Sequence, residues 1–137
     1  MTNQRILFLA VVLSACGQTP ESHVRETYPS GVKRVEYIFA ATDSMNRIEK
    51  TYHPNGALLS EGRIEEGERV GEWKSFFPDS TLWSRHFYVD GSQDGDYIVN
   101  FENGKPRIVG QFDMGHEVGT WYFLTAEGDT AQVRQMD

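Results

Sequence analysis

The only thiol of the chain is Cys16, which follows a short apolar stretch near the N-terminus. The stretch from Ile6 to Leu13 is too short to cross the roughly 30 Å of bilayer hydrocarbon. Arg5 before it provides the positive charge with which a signal peptide begins. A single cysteine cannot form an internal disulfide, so in an exported chain it is either reactive or modified. We predict a signal peptide over residues 1–15.

The residues around this cysteine, Leu13-Ser14-Ala15-Cys16-Gly17, resemble the bacterial lipobox. The resemblance implies transfer of a diacylglyceryl group to the Cys16 thiol, cleavage before Cys16 and N-acylation. Two or three acyl chains hold a protein at a membrane, whereas one chain does so only marginally. Gly17 stands where an Asp would, by the family rule, retain a lipoprotein in the inner membrane, so the resemblance implies the periplasmic leaflet of the outer membrane. Two alternatives are an ordinary secretory signal with a free thiol and a cytoplasmic protein with an apolar start.

The other side chains that could do chemistry do not follow a catalytic or metal-binding pattern. The histidines are His23, His53, His86 and His116, and they show neither His-x-x-x-His nor Glu-x-x-His spacing. No serine lies in a Gly-x-Ser-x-Gly elbow. Glu65, Glu66 and Glu68 lie in a predicted turn, whereas paired catalytic carboxylates need a cleft. We therefore predict that the protein is not an enzyme and uses no metal or cofactor.

One stretch, from Asp90 to Asp96, imitates a calcium loop. It places oxygen ligands at alternate positions and a glycine at the sixth. The twelfth position is Phe101, where a bidentate Glu is needed, and Gly91 and Gly95 fit a repeated turn. The sequence therefore favours a turn over a calcium site.

The elements that must position these residues arise from a repeat of 24 residues. Five sets of similar residues share this spacing in one register. The sets are Gly67, Gly91 and Gly115; Gly71, Gly95 and Gly119; Trp73, Tyr97 and Trp121; Ile64, Tyr88 and Phe112; and Gly56, Ser80, Gly104 and Gly128. Self-similarity at a fixed period of this length is typical of repeat architectures.

Each repeat reads as a β-hairpin. Pro54-Asn55-Gly56 has the residues of a tight turn, and Gly67 to Gly71 forms a second turn of the same kind. The runs between the turns alternate with period two, which predicts strands. We predict an all-β, elongated antiparallel meander of stacked hairpins with about nine strands, over residues 28–137. A polar, Pro-containing segment over residues 16–27 is predicted to be a flexible tether.

The predicted core is an aromatic row. A lone hairpin is marginal in water, so stacked hairpins must bury a shared surface. Trp73, Tyr97 and Trp121 are expected to form the row, and Gly62 and Gly110 to leave space for a neighbouring ring. The residues expected on the same face are Phe77, Val99, Phe101 and Phe123.

The motif Tyr-x-Pro-Asn-Gly-x-Leu-x-x-Glu-Gly, continued to Gly-x-Trp at Trp73, resembles the MORN-repeat variant of YwqK-type antitoxin-like proteins and many bacterial lipoproteins. The resemblance covers Tyr28 to Asp129. It implies a β-hairpin repeat sheet with interaction or scaffolding roles and no inherited catalytic residues. A further implied function is a periplasmic, immunity-like inhibitor of an exported toxin.

The net charge of −7 restricts the partners. Affinity for nucleic acid comes from clustered Lys and Arg, which the chain lacks, so we predict no nucleic-acid partner. The same sign disfavours an anionic lipid surface. Membrane attachment is therefore predicted to depend on the lipid at Cys16.

The repeat that follows the copy ending in Gly-x-Trp at Trp73 departs from its neighbours on the face opposite the predicted core. It carries Trp83, Arg85 and Phe87, where the first copy has Leu59, Glu61 and Arg63. An exposed Trp and Phe beside an Arg are typical of an interface anchor. The alternative is a partly covered second face, or drift within one repeat. We predict that these three residues contact a protein or an envelope polymer.

Overall fold

The computed structural model describes residues 20–40 and 43–137, and these form one open antiparallel sheet of eleven strands. The strands are β1 Glu21–Thr27, β2 Lys33–Ala40, β3 Asp43–Tyr52, β4 Leu58–Glu65, β5 Glu68–Phe76, β6 Leu82–Val89, β7 Ser92–Gln93, β8 Gly95–Asn100, β9 Pro106–Asp113, β10 His116–Leu124 and β11 Thr130–Met136. They pair in chain order, apart from the short β7, which pairs with β6 beside β8. The predicted all-β hairpin meander is confirmed.

The predicted signal peptide, residues 1–15, and Cys16 lie outside the described residues. Within the described ranges, no helix is long and apolar enough to span a bilayer.

The nine predicted strands are present, and β1 and β7 are additional. β1 covers Glu21–Thr27, so the prediction of a flexible tether over residues 16–27 is wrong for this part. All seven of its residues are exposed, which leaves no hydrophobic alternation to read from the sequence. The strand forms because β2 offers a free edge, with Ser22 opposite Ile38 and Val24 opposite Glu36.

A buried carboxylate fastens β1 to its neighbours. Glu36 is 7% exposed and accepts hydrogen bonds from the hydroxyls of Ser22 and Tyr52 and, at 3.0 Å, from Nζ of Lys33. These bonds, led by the one from Ser22, lower the pKa of Glu36 to about 2. Because all three donors favour the ionised carboxylate, this cluster stabilises the N-terminal edge of the sheet at neutral pH.

The hairpin turns repeat with the sequence. Glu66, Asp90 and Met114 precede a glycine and have φ of 50°, 44° and 44°. Two consecutive residues with positive φ match the twist of flanking strands in a tight hairpin. Asp90 and Gly91, the start of the calcium-like stretch, therefore form a turn, and no group of three potential metal ligands occurs within the described residues.

The aromatic core forms as the glycine spacing predicted. Trp73 and Trp121 are 5% and 3% exposed. A Cβ on Gly62 would lie 2.1 Å from Cδ2 of Trp73, and one on Gly110 would lie 2.3 Å from the same atom of Trp121. In the second repeat His86 replaces this glycine, and its ring meets Tyr97 edge-on at 4.6 Å. The prediction that missing side chains make room for rings is confirmed.

Candidate binding groove

A β-bulge recurs at the start of every second strand and changes the direction of one side chain. Ser75 lies opposite Ser84 and Phe76 opposite Leu82, so Trp83 is an extra residue without a partner. The pairings on either side of Leu59 and of Arg107 show the same shift. A bulge interrupts the alternation of side chains between faces and re-aims the extra residue.

Three serines form a row across neighbouring strands on the face of the aromatic core. Ser60 lies opposite Ser75, and Ser75 lies opposite Ser84. The hydroxyl of Ser60 hydrogen-bonds that of Thr51 at 2.6 Å. Ser84 is only 6% exposed, yet its hydroxyl has no hydrogen-bond partner within the described residues. The row thus presents hydroxyl groups that a ligand could bind.

These serines form the floor of a groove of about 480 Å³, here called the serine groove. The groove crosses five strands, from Ser60 on β4 to Arg107 on β9. Its other lining residues are Arg69, Trp73, Trp83, His86, Tyr88, Tyr97, Val99 and Ile108. A concave surface with aromatic walls and a few polar groups is the usual form of a ligand site.

A second groove, of about 540 Å³, adjoins the first at the hairpin turns and is called the turn-side groove. Trp83 and Arg107 line both grooves. Trp83 is 43% exposed and its ring centroid lies 5.8 Å from that of Phe77. The two grooves therefore meet at a large, exposed aromatic side chain beside a cation.

The two arginines of the site lie over aromatic rings, and Glu102 also lines the turn-side groove with Arg107. The guanidinium carbon of Arg69 lies 4.2 Å from the Trp73 ring centroid, and that of Arg107 lies 5.7 Å from the Phe101 ring. Neither arginine takes part in any ion pair between residues that the structure describes. In a chain with a net charge of −7, this leaves two positive groups on the lining available to an anion.

His86, between the aromatic rings, is held neutral. Burial, and then the charge of Arg69, lower the pKa of its imidazole below the ordinary value of 6.5. The amide nitrogen of Gln93 lies 3.1 Å from Nδ1, in position to donate a hydrogen bond to the neutral ring. His86 therefore presents a polar aromatic edge without charge at neutral pH.

The three predicted contact residues are divided between two surfaces. Trp83 lines the serine groove, whereas Arg85 and Phe87 line neither groove. The guanidinium carbon of Arg85 lies 5.7 Å from the Phe87 ring, and its buried Nε has no hydrogen-bond partner within the described residues. A strict alternation of side chains between the two faces of the sheet, which ignores the bulge at Trp83, predicts that all three lie on the same face. A role for Arg85 and Phe87 in binding stays a prediction.

The sequence reasoning missed the serine row and both arginines. A signal for one of them was present, because Leu59, Trp83 and Arg107 occupy the same position of the 24-residue repeat. A repeat position at which the side chain varies in size and charge is typical of a binding surface. Ser60 and Ser84 also share a repeat position, but their alignment with Ser75 depends on strand register.

The fold defines a class of protein, an open β-hairpin repeat sheet, here with two adjoining grooves on one side. Residues 48–64 and 69–90 match the family model of the MORN repeat variant. The match supports the MORN-repeat assignment for these two segments, and MORN repeats generally bind proteins or membranes. The comparisons with curated proteins and with solved structures gave no match.

Proposed function

We propose that this protein is a membrane-anchored lipoprotein whose repeat sheet binds an extended protein or envelope polymer, and that it acts by binding rather than catalysis. The observation that carries the proposal is the serine groove, which crosses five strands and ends beside the exposed Trp83 and the unpaired Arg107. A site so open and shallow suits a long ligand that extends beyond the groove at both ends.

The anchor in this proposal is the lipid on Cys16, at the periplasmic leaflet of the outer membrane. Support comes from the lipobox-like sequence and from the net charge of −7, which disfavours direct attachment to anionic lipid. Cys16→Ser should release a folded protein into the soluble periplasmic fraction and abolish palmitate labelling. Full membrane attachment and labelling of the variant would contradict the anchor.

Photo-crosslinking in intact cells tests the binding surface. A photoreactive residue would replace either Trp83 or Tyr122, because both are 43% exposed but only Trp83 lines the grooves. The proposal expects a discrete crosslinked species from position 83 and none from position 122. Equal products at the two positions, or none at either, would contradict a binding role for this surface.

A second candidate function is an immunity-like inhibitor of an exported toxin, which the resemblance to antitoxin-like proteins favours. Deletion of the gene should then kill cells, and removal of the toxin gene should rescue them. Normal growth after deletion in toxin-bearing cells would contradict this function and leave the binding role unaffected.

A further inference from the structure

We infer that the ligand of the serine groove is an anionic saccharide, an oligomer that carries carboxylate or other acidic groups. The inference rests on the proposed function, because it names the ligand class of the proposed binding surface. Three features carry it: the hydroxyl floor, the strands beneath it, each of which has a neighbour on both sides, and two arginines that form no ion pair within the described residues.

The floor suits a ligand with hydroxyl groups. A serine hydroxyl both donates and accepts hydrogen bonds, as sugar hydroxyls do. Ser75 lies between Ser60 and Ser84, so three such groups follow one another across the strands at intervals of about 5 Å. Ser84 makes no side-chain hydrogen bond to another described residue, and it lines the groove, so its hydroxyl is open to a hydroxyl group of a ligand.

The walls suit the apolar face of a sugar ring. Trp83 offers a partly exposed indole at the rim, while Tyr97 and His86 stand edge to face inside the groove. Trp73 does not provide such a surface, because Arg69 covers its ring at 4.2 Å. Stacking is therefore expected at Trp83, and hydrogen bonding at the serines.

The main chain under the groove disfavours a peptide. Extended peptides commonly bind by adding a strand to a free sheet edge. The groove lies over β4, β5, β6, β8 and β9, each of which pairs with a neighbour on both sides. Among the described strands, the sheet edges are β1 and β11, and neither contributes to the groove.

The two arginines favour an acidic ligand of some length. Arg69 and Arg107 lie on β5 and β9, which are three strand spacings, or about 14 Å, apart across the sheet, and the register also offsets the two residues along the strands. A guanidinium group binds carboxylate and phosphate with two parallel hydrogen bonds. One monosaccharide is too small to reach both arginines, so an oligomer with acidic groups on more than one unit is expected.

Calorimetric titration of the soluble Cys16→Ser protein tests the inference. The acidic probes are galacturonate hexamers and sulfated dextran oligomers, which distinguish carboxylate from sulfate groups; the controls are maltohexaose and a hexaglutamate peptide. The inference expects saturable binding of at least one acidic saccharide, weakened by added salt, and no comparable binding of either control. Comparable binding of maltohexaose, preference for the peptide, or no binding of any acidic saccharide would overturn it.

Substitutions locate the binding site. Arg107→Gln and Trp83→Ala should each weaken binding about tenfold, the effect expected from losing one charge-assisted contact or one stacked ring. Arg134→Gln is the matched control, because Arg134 also lies over a phenylalanine, at 4.8 Å from the Phe123 ring, and lines neither groove. Equal losses in all three variants would overturn the site.

The two levels of the proposal can fail separately. If position 83 crosslinks a cellular partner but no acidic saccharide binds, the binding function stands and the saccharide inference falls. If an acidic saccharide binds in titration but position 83 gives no crosslink in cells, the proposed cellular function falls while the ligand preference of the groove stands.

Discussion

At the scale of single residues, glycines decide where the aromatic core can form. Gly62 and Gly110 lie directly against the rings of Trp73 and Trp121, where no side chain would fit. The ring of Trp73 is also fixed by a hydrogen bond from Nε1 to the carbonyl oxygen of Arg63, at 3.2 Å. The Trp73 indole therefore packs against the backbone of Gly62, because a glycine there leaves room for the ring.

Gly62→Ala should lower the free energy of unfolding by about 2 kcal/mol or more, because the added methyl group overlaps the Trp73 ring. Urea unfolding followed by tryptophan fluorescence measures the change. Gly115→Ala is the control: its Cβ meets nothing within 4 Å, and only its φ of 88° is unfavourable, at about 1 kcal/mol. A smaller loss at Gly62 than at Gly115 would contradict the packing argument.

Glu36 makes the stability of the protein depend on pH. Its pKa of about 2 lies below the ordinary 4.5, so its contribution is complete above pH 4.5 and is lost as the pH falls towards 2. Glu36→Gln should cost up to about 3 kcal/mol at pH 7, and the difference from wild type should shrink below pH 4.5. Urea titrations at several pH values measure it.

The control for Glu36 is Glu26→Gln, because Glu26 pairs with Arg34 at the surface, with its side chain 55% exposed. A surface pair contributes little, so this variant should remain within about 0.5 kcal/mol of wild type at every pH. A pH-independent difference for Glu36→Gln would show that the charge of Glu36 is not the cause.

At the scale of elements, the turns and bulges give every hairpin the same form. Asn55 donates to the carbonyl of Pro78 and Asn103 to that of Ala126, both at 3.0 Å, so these two turns are each hydrogen-bonded to the next turn. Asp79 occupies the same repeat position in the turn between these two, and its carboxylate side chain has no N–H to donate. The middle turn is thus the exception, and it borders the turn-side groove.

Ser80→Gly should stabilise the protein by about 1 kcal/mol. Ser80 has φ of 70°, whereas glycine occupies the equivalent position in the turns at Gly56 and Gly104. The substitution removes the strain of a left-handed conformation that glycine adopts freely. Thermal unfolding measures the gain, and a lower melting temperature for the variant would contradict it.

The sequence was sufficient to predict the hairpins and the glycine–tryptophan contacts, because turn residues and the 24-residue period determine both. It was insufficient for β1, whose residues are all exposed and whose pairing depends on β2. It was also insufficient for the groove. Alternation fails at a bulge, so Trp83 was assigned to the wrong face, and the serine row exists only through the register of β4, β5 and β6.

At the scale of the whole molecule, each strand pairs only with its neighbours along the sheet. Stability in such a molecule is approximately a sum over repeats and over the interfaces between adjacent repeats. Length is therefore adjustable in steps of one repeat, without a central core that must be kept complete.

Deletion of residues 82–105 tests this view. The deletion removes one 24-residue repeat and joins Thr81 to Pro106, which keeps the register because Lys105 occupies the repeat position of Thr81. We expect a folded β-sheet protein with a smaller denaturant dependence of unfolding, in proportion to the surface removed. A chain without a cooperative transition would contradict the additive view.

The recurring bulge lets one side chain per repeat vary without changing how the strands pair. Leu59, Trp83 and Arg107 differ in size and charge, yet the backbone around them has the same pairing shift. Each of these repeats therefore has one position at which the side chain can change while the strand pairing stays the same. Binding properties can thus be altered one repeat at a time.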